Sequence, residues 1–122
     1  MKIWGGVLAA VLISVAVPAM AQDAEAGGKV FRQQCMACHT IVAGKNGVGP
    51  SLFGVVGRTA GSVEGFHYSA ANKGSGLTWD AATLDKYLLS PKQVVPGTTM
   101  PYPGLKDDGQ RANLIAYLAT LK

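Results

Sequence analysis

The chain has 122 residues, a formal net charge of +4 and two cysteines. This length suits one small domain, and the sequence has neither runs of like charge nor Arg/Lys clusters interleaved with aromatic residues, which argues against nucleic acid as a partner. A mildly basic surface fits transient contact with acidic patches on other proteins. A domain of this size needs a covalent staple or a cofactor to complete its core.

The first 21 residues are predicted to form a secretory signal peptide. Met1 and Lys2 precede the uncharged apolar stretch IWGGVLAAVLISVAV, and small residues at Ala19 and Ala21 precede QDAE. An uncleaved membrane anchor is the alternative, although the apolar stretch alone is shorter than the ~20 residues of a membrane-spanning helix. Cleavage after Ala21 would leave one exported domain, residues 22–122, in the periplasm.

The stretch DAEAGGKVFRQQ, residues 23–34, is predicted to form the first helix of this domain, with Asp23 as its N-cap. Gly27 and Gly28 lie inside it, where each costs about 1 kcal/mol relative to alanine. Such glycines are expected where another helix crosses closely. We therefore expect the C-terminal helix to pack against this position.

Both cysteines lie in CMACHT, residues 35–40. A disulfide between Cys35 and Cys38 would close a very small loop and stabilise little. A thioredoxin-like dithiol follows a strand, whereas a helix is predicted here. Structural zinc needs four ligands, and beyond this segment only His67 could contribute an imidazole.

Cys-x-x-Cys-His is the attachment pattern of c-type haem, which the segment therefore favours. Residues three apart on a helical turn share one face, so Cys35 and Cys38 can each add a thiol to a different one of the porphyrin's two vinyl groups. His39 can then bind the iron from the same side. Residues 40–69 are rich in glycine and show no helical period, which predicts long loops; wrapping a haem is one function that explains such loops.

A second helix is predicted from about Asp80 to Ser90, ended by Pro91. The following stretch, VVPGTTMPYPG, is predicted to be an ordered non-helical loop because of its prolines and glycines. It carries Met100, the favoured sixth ligand of the iron; His67, in EGFHY, is the other candidate. A gap-filling core methionine is the simpler interpretation of Met100.

The last stretch, DDGQRANLIAYLATLK, is predicted to be the C-terminal helix. Asp107 and Gln110 have the spacing of a capping box. An apolar stripe at helical spacing follows. It consists of Leu114, Ile115, Leu118 and Leu121.

Five segments resemble, in order and spacing, the class I cytochromes c of the bacterial cytochrome c2 and mitochondrial type. They are GGKVFRQQCMACHT, GPSLFGVVGRTAG, GFHYSAANKGSGLTW, TLDKYLLSPKQVVPGTTM and RANLIAYL. The resemblance implies a small all-α cytochrome c fold, in which the N- and C-terminal helices cross and long loops wrap one covalently bound haem c.

The resemblance also implies roles for single residues. His39 and Met100 would be the axial ligands, and Pro50 would accept a hydrogen bond from the His39 imidazole. Tyr87 and Thr98 would bond near the Met100 sulfur. The haem propionates would be lined by Arg58, Tyr68 and Trp79.

The implied function is that of a soluble periplasmic electron carrier, not an enzyme. It would act as a monomer between a cytochrome bc1-type donor and a terminal oxidase, reaction centre or reductase. A haem subunit of a dehydrogenase and a small haem peroxidase are the alternatives. The chain departs from its relatives where they often carry lysine, namely at Gln33, Gln34, Thr99 and Asp107, and Tyr102 stands where phenylalanine is frequent.

Overall fold

The computed structural model describes residues 1–2, 5–6, 9–13 and 22–122. The predicted cleavage site after Ala21, and much of the predicted signal peptide before it, lie outside these residues. Within the described ranges, no helix combines the length and the apolar character needed to cross a bilayer.

Residues 22–122 contain five helices, and the all-α prediction is confirmed. They are α1 (Ala24–Gln34), α2 (Ala70–Lys73), α3 (Ala81–Leu89), α4 (Pro91–Val94) and α5 (Asp108–Ala119). The predicted first, second and last helices correspond to α1, α3 and α5. The one-turn helices α2 and α4 were not predicted. Pro91 ends the α3 segment as expected, and it also opens α4.

Aspartate side chains begin the three longer helices. Asp23 accepts the N–H of Ala26 at 3.1 Å, and Asp107 accepts that of Gln110 at 2.8 Å, so both predicted N-caps are confirmed. Asp80 caps α3 through the N–H of Thr83 at 2.7 Å. Each bond satisfies a backbone donor that has no partner inside its helix.

Helices α1 and α5 cross at Gly27, as the sequence predicts. A Cβ atom on Gly27 would collide with the carbonyl of Asn113 and would lie 2.8 Å from the Cβ of Tyr117. The Tyr117 ring packs on Phe31, with 5.6 Å between the ring centroids. The Asn113 side chain also accepts the N–H of Asp23 at 2.9 Å, which joins the two ends of the domain.

The segment between α1 and α3 is long and largely irregular, but it is tied to the rest of the fold. The only β-bridge in residues 22–122 pairs Thr59 with Thr78. Beside it, the N–H of Trp79 donates to Arg58 O, and that of Gly57 donates to Trp79 O, both at 2.8 Å. This short antiparallel contact places Arg58 and Trp79 next to each other in space.

Arg111 of α5 is 4% exposed and joins three parts of the fold. Its Nε donates to Asp85 of α3 at 2.7 Å and its Nη2 to Asp108 at the same distance. Its Nη1 donates to the Leu105 carbonyl at 3.0 Å. Leu105 lies near the end of the segment that carries Met100, hereafter the Met100 loop (residues 95–107). One buried cation therefore ties the last part of this loop to α3 and α5.

Candidate functional site

An apolar cavity of about 300 Å³ lies between the helices and the long loops. Core side chains of α3 and α5 form part of its lining, among them Leu84, Leu88, Leu114 and Leu118. The ten residues predicted from the sequence as haem contacts all line it. They are Cys35, Cys38, His39, Pro50, Arg58, Tyr68, Trp79, Tyr87, Thr98 and Met100.

The two cysteines lie in a tight turn that continues from α1. The Cys35 N–H donates to Phe31 O at 2.8 Å, and the N–H groups of Cys38 and His39 both donate to Cys35 O, at 3.1 and 3.0 Å. The turn brings both thiols to the cavity. Burial, and secondarily the charge of Cys38, raises the pKa of the Cys35 thiol to about 11. Redox-active Cys-x-x-Cys pairs have a lowered pKa instead, so the dithiol alternative is disfavoured.

His39 is oriented by the backbone of the next loop. Its Nδ1 lies 2.8 Å from the carbonyl oxygen of Pro50. Since a carbonyl can only accept, Nδ1 carries the proton and Nε2 keeps its lone pair free for a metal. Gly49 makes this possible, because a Cβ there would overlap the imidazole and lie 2.9 Å from Nε2. Burial, opposed by the Pro50 bond, lowers the pKa of His39 and favours the neutral ring.

Met100 lies in the cavity lining, in the loop between α4 and α5. The Tyr87 hydroxyl donates to its sulfur at 3.9 Å, and the Met100 N–H donates to the Thr98 hydroxyl at 3.3 Å. Burial raises the pKa of Tyr87, so this phenol stays protonated as a donor. His67, the rival ligand, is exposed and is absent from the cavity lining.

A polar region occupies one part of the lining. The Nη1 of Arg58 donates to the carbonyls of Ser51 at 2.9 Å and Phe53 at 3.3 Å, whereas its buried Nε has no partner in the described residues. Burial lowers the pKa of Arg58. The Tyr68 hydroxyl accepts the N–H of Val63 at 3.0 Å, which leaves its own proton available to donate. A half-buried guanidinium with a buried, unused donor is suited to an anionic group.

Asn72 also lines the cavity, although no sequence motif predicts it. Its side-chain oxygen is buried and has no hydrogen-bond partner in residues 22–122, while Ser69 Oγ accepts its backbone N–H at 3.1 Å. No pattern in the sequence marks it, because its role depends on the position of α2 beside the cavity. Unpartnered buried polar atoms are rare in native proteins and call for a ligand or an ordered water.

The cavity and its donor set fit a haem. The walls are apolar as a porphyrin requires, and two thiols lie on the same turn as a neutral imidazole. A thioether lies in the loop that forms another part of the wall. The unused polar atoms of Arg58 and Asn72 suit the polar edge of such a group. By contrast, the described residues hold no cluster of three or more His, Cys, Asp or Glu side chains of the kind that binds a bare metal ion.

Comparisons with known proteins agree with this geometry. Residues 24–122 match the model of the Cytochrome c family. The chain is 56% identical over 103 residues to cytochrome c2 of Rhodoblastus acidophilus, covering 84% of this chain and 95% of that protein. It is 50% identical over 98 residues to cytochrome c 2.1 of Caenorhabditis elegans, covering 80% and 88%.

A solved structure has the same fold. Cytochrome cH from Methylobacterium extorquens superposes with a TM-score of 0.75 at 52% sequence identity, covering 80% of this chain and 98% of that chain. Family match, sequence identity and structural likeness all span the domain that holds the cavity. The chain therefore belongs to the cytochrome c family, whose members bind one covalently attached haem c and carry electrons rather than catalyse a reaction.

Proposed function

We propose that this protein is a soluble periplasmic carrier that passes single electrons between membrane-bound respiratory or photosynthetic complexes. The observation that carries the proposal is one apolar cavity lined by both cysteines, His39 and Met100. When bound, the haem supplies a one-electron couple between ferrous and ferric iron. The residues of this chain determine how the haem is held and which oxidation state of its iron is favoured.

Cys35 and Cys38 would hold the haem covalently through thioether bonds, and His39 Nε2 and Met100 Sδ would bind its iron. The Pro50 carbonyl fixes the imidazole plane and its tautomer. A thioether is a soft ligand and favours the ferrous state, which raises the potential. The apolar lining acts in the same direction, because it disfavours the extra positive charge of the ferric state.

Arg58, Tyr68 and Trp79 would face the haem propionates, together with Asn72. The buried Nε of Arg58 has no partner in the described residues and supports this, since a carboxylate could accept its N–H. The indole of Trp79 packs on the Tyr87 ring, with 4.6 Å between centroids. That contact links the polar end of the cavity to the residue that donates to the Met100 sulfur.

Export would be directed by residues 1–21, which have the composition of a signal peptide, and cleavage after Ala21 would release the domain. Relatives named cytochrome c2 come from bacteria, including Rhodoblastus acidophilus and Rhodopila globiformis. In the periplasm, a cytochrome bc1-type complex would supply electrons. A terminal oxidase, a reaction centre or a reductase would accept them.

Location and processing can be tested on the native protein. Osmotic-shock fractionation should release it with the periplasm, and intact-mass measurement should show a chain that starts at Gln22 plus one haem. Acid–acetone extraction should leave the colour on the protein. A mass that includes residues 1–21 would instead indicate that the carrier is anchored to the membrane.

Electron transfer is tested with membranes from the protein's own organism. Reduced protein should be oxidised by these membranes, and oxidase inhibitors or light should distinguish an oxidase from a reaction centre. The oxidised protein should be reduced through a bc1-type complex in an inhibitor-sensitive way. Failure of both reactions would reject the shuttle role.

A further inference from the structure

A side-chain hydrogen bond joins two walls of the cavity that are distant in sequence. The Tyr102 hydroxyl donates to Gln34 Oε1 at 3.1 Å. Gln34 is the last residue of α1 and directly precedes Cys35, whereas Tyr102 lies in the Met100 loop, two residues after Met100. Both side chains line the cavity. The bond therefore connects the cysteine turn to the segment that carries Met100.

The part of the loop around Met100 has few other polar contacts. Pro101 and Pro103 have no N–H to donate. Backbone bonds anchor the loop before this part, where the Thr98 N–H donates to Val95 O at 3.0 Å, and after it, where the Leu105 N–H donates to Leu88 O at 2.7 Å.

Between these anchors, the Met100 N–H donates to Thr98 of the same loop, and two hydrogen bonds in the described structure link residues 99–104 to parts of the protein outside the Met100 loop. One is the long contact of Tyr87 with the Met100 sulfur, at 3.9 Å, and the other is the Tyr102–Gln34 bond. The Tyr102–Gln34 bond is the shorter of the two and leaves the Met100 sulfur free. It can therefore hold residues 99–104 against the cysteine turn while the Met100 sulfur binds another group.

The backbone of the acceptor residue is held in place by α1. Gln34 closes a helix that is packed against α5, and the N–H of the next residue, Cys35, donates to Phe31 O at 2.8 Å. The Tyr102 ring is half-buried and packs against the core cluster.

We propose that Tyr102 and Gln34 are positioning residues, whose hydrogen bond holds the Met100 loop against the cysteine turn and keeps Met100 in place to ligate the iron. The inference rests on the proposed function, because it takes Met100 as the sixth ligand. One neutral, exposed hydrogen bond changes an opening equilibrium by about two- to tenfold.

The test compares oxidised holoproteins of the wild type, Tyr102→Phe, Gln34→Met, the double variant and Gln34→Glu. The matched control is Gln33→Met, since Gln33 is the adjacent exposed glutamine and forms no side-chain hydrogen bond within residues 22–122. Two quantities are measured: the rate at which imidazole displaces the native sixth ligand, and the denaturant concentration at which the sulfur-to-iron charge-transfer band disappears.

Tyr102→Phe and Gln34→Met should each bind imidazole about two to ten times faster and lose the band at lower denaturant. The double variant should match either single variant, because both remove the same bond. Gln34→Glu keeps an acceptor and should behave like the wild type, as should Gln33→Met.

The proposal would be overturned if imidazole bound to Tyr102→Phe at the wild-type rate. It would also be overturned if the effects of the two single substitutions were fully additive in the double variant, or if Gln33→Met accelerated imidazole binding equally. Failure of the proposed function is a different outcome. In that case the wild-type holoprotein itself would lack the sulfur-to-iron band.

Discussion

The two proposed axial ligands are held with different rigidity. His39 is fixed by a 2.8 Å bond to a backbone carbonyl and by the close approach of Gly49 to its ring. Met100 has a long contact from Tyr87 and lies in a loop whose ends, rather than its middle, are anchored by backbone bonds. Exchange of a ligand is therefore expected on the Met100 side.

Replacing Met100 with alanine should open the iron to exogenous ligands. Imidazole affinity should rise by more than about tenfold, because the incoming ligand no longer has to displace the sulfur. The reduction potential should fall, since the soft thioether that favours ferrous iron is lost. Imidazole titration and a redox titration measure the two effects.

Met36→Ala is the control for this substitution. Met36 lies between the cysteines but is 57% exposed and does not line the cavity, so its loss should leave both quantities unchanged. If His67→Ala opened the iron while Met100→Ala did not, the assignment of the sixth ligand would be wrong.

Close helix packing and a buried cation join the helices of the domain to one another. At the crossing of α1 with α5, the backbone of one helix contacts the other where Gly27 has no side chain. Two residues before Asn113 in α5, Arg111 ties α3 and the Met100 loop to the same helix. The first contact stabilises the domain, and the second also limits the movement of the loop.

Gly27→Ala should destabilise the domain by about 3 kcal/mol. The added methyl group overlaps the Asn113 carbonyl, and the resulting strain outweighs the gain of about 1 kcal/mol in helix propensity. Chemical unfolding of the holoprotein measures the change. Gly109→Ala in α5 is the control, because its nearest neighbour would lie at 3.4 Å, and it should leave stability unchanged or slightly higher.

Arg111→Met should lower the free energy of unfolding by about 2 kcal/mol. The variant loses the bond to Leu105 O and both carboxylate pairs, but Asp85 and Asp108 are exposed enough for water to solvate them. Arg32→Met, which removes an exposed cation with no ion pair in the described residues, should change stability by less than about 0.5 kcal/mol. Equal losses in the two variants would show that net charge, and not the buried contacts, determines stability.

The sequence predicts α1, α3, α5 and the caps Asp23 and Asp107, because helix signals lie within a few neighbouring residues. It does not reveal α2 or α4, since one turn is too short to show a period. The ten predicted contacts meet at one cavity because the haem motif and the family resemblance identified them. Asn72 and Arg111 were missed because their environments depend on residues far away in the chain.

Charge is unevenly distributed over the molecule. Arg58 is the only residue with a formal charge among those that line the cavity in residues 22–122. The exposed lining residues form what we call the cavity rim: Gln34, Val48, Thr99, Pro101 and Pro103. Any electrostatic attraction to a partner must therefore come from charges outside the rim, such as Lys92 and Lys106, the latter bound to Leu89 O.

Electron-transfer rates to the acceptor should consequently fall only gently as ionic strength rises. Charges outside the rim steer the encounter, but salt screens them beyond ~8–10 Å. Lys92→Glu should slow association at low salt and leave the reduction potential nearly unchanged. Lys92 lies on α4, directly before the Met100 loop that lines the cavity, whereas Lys29 lies on α1. Lys29→Glu makes the same change in net charge and should slow association less.

Stopped-flow kinetics at several salt concentrations tests this prediction. A rate that rises with salt, or that ignores both salt and Lys92→Glu, would mean that docking is apolar. Tyr102 and the two prolines beside it would then be the contact surface.

The packing of α1 on α5 also has a consequence for the order of events during synthesis. Asp23 and Asn113, which are 90 positions apart, are joined by a hydrogen bond, so the domain cannot close until its last helix has left the ribosome. Contacts this distant in sequence form late, because a long loop must be closed first. The haem-binding turn is therefore available before the core is complete. This order of folding is compatible with the proposed export, in which the chain would cross a membrane unfolded and receive its cofactor afterwards.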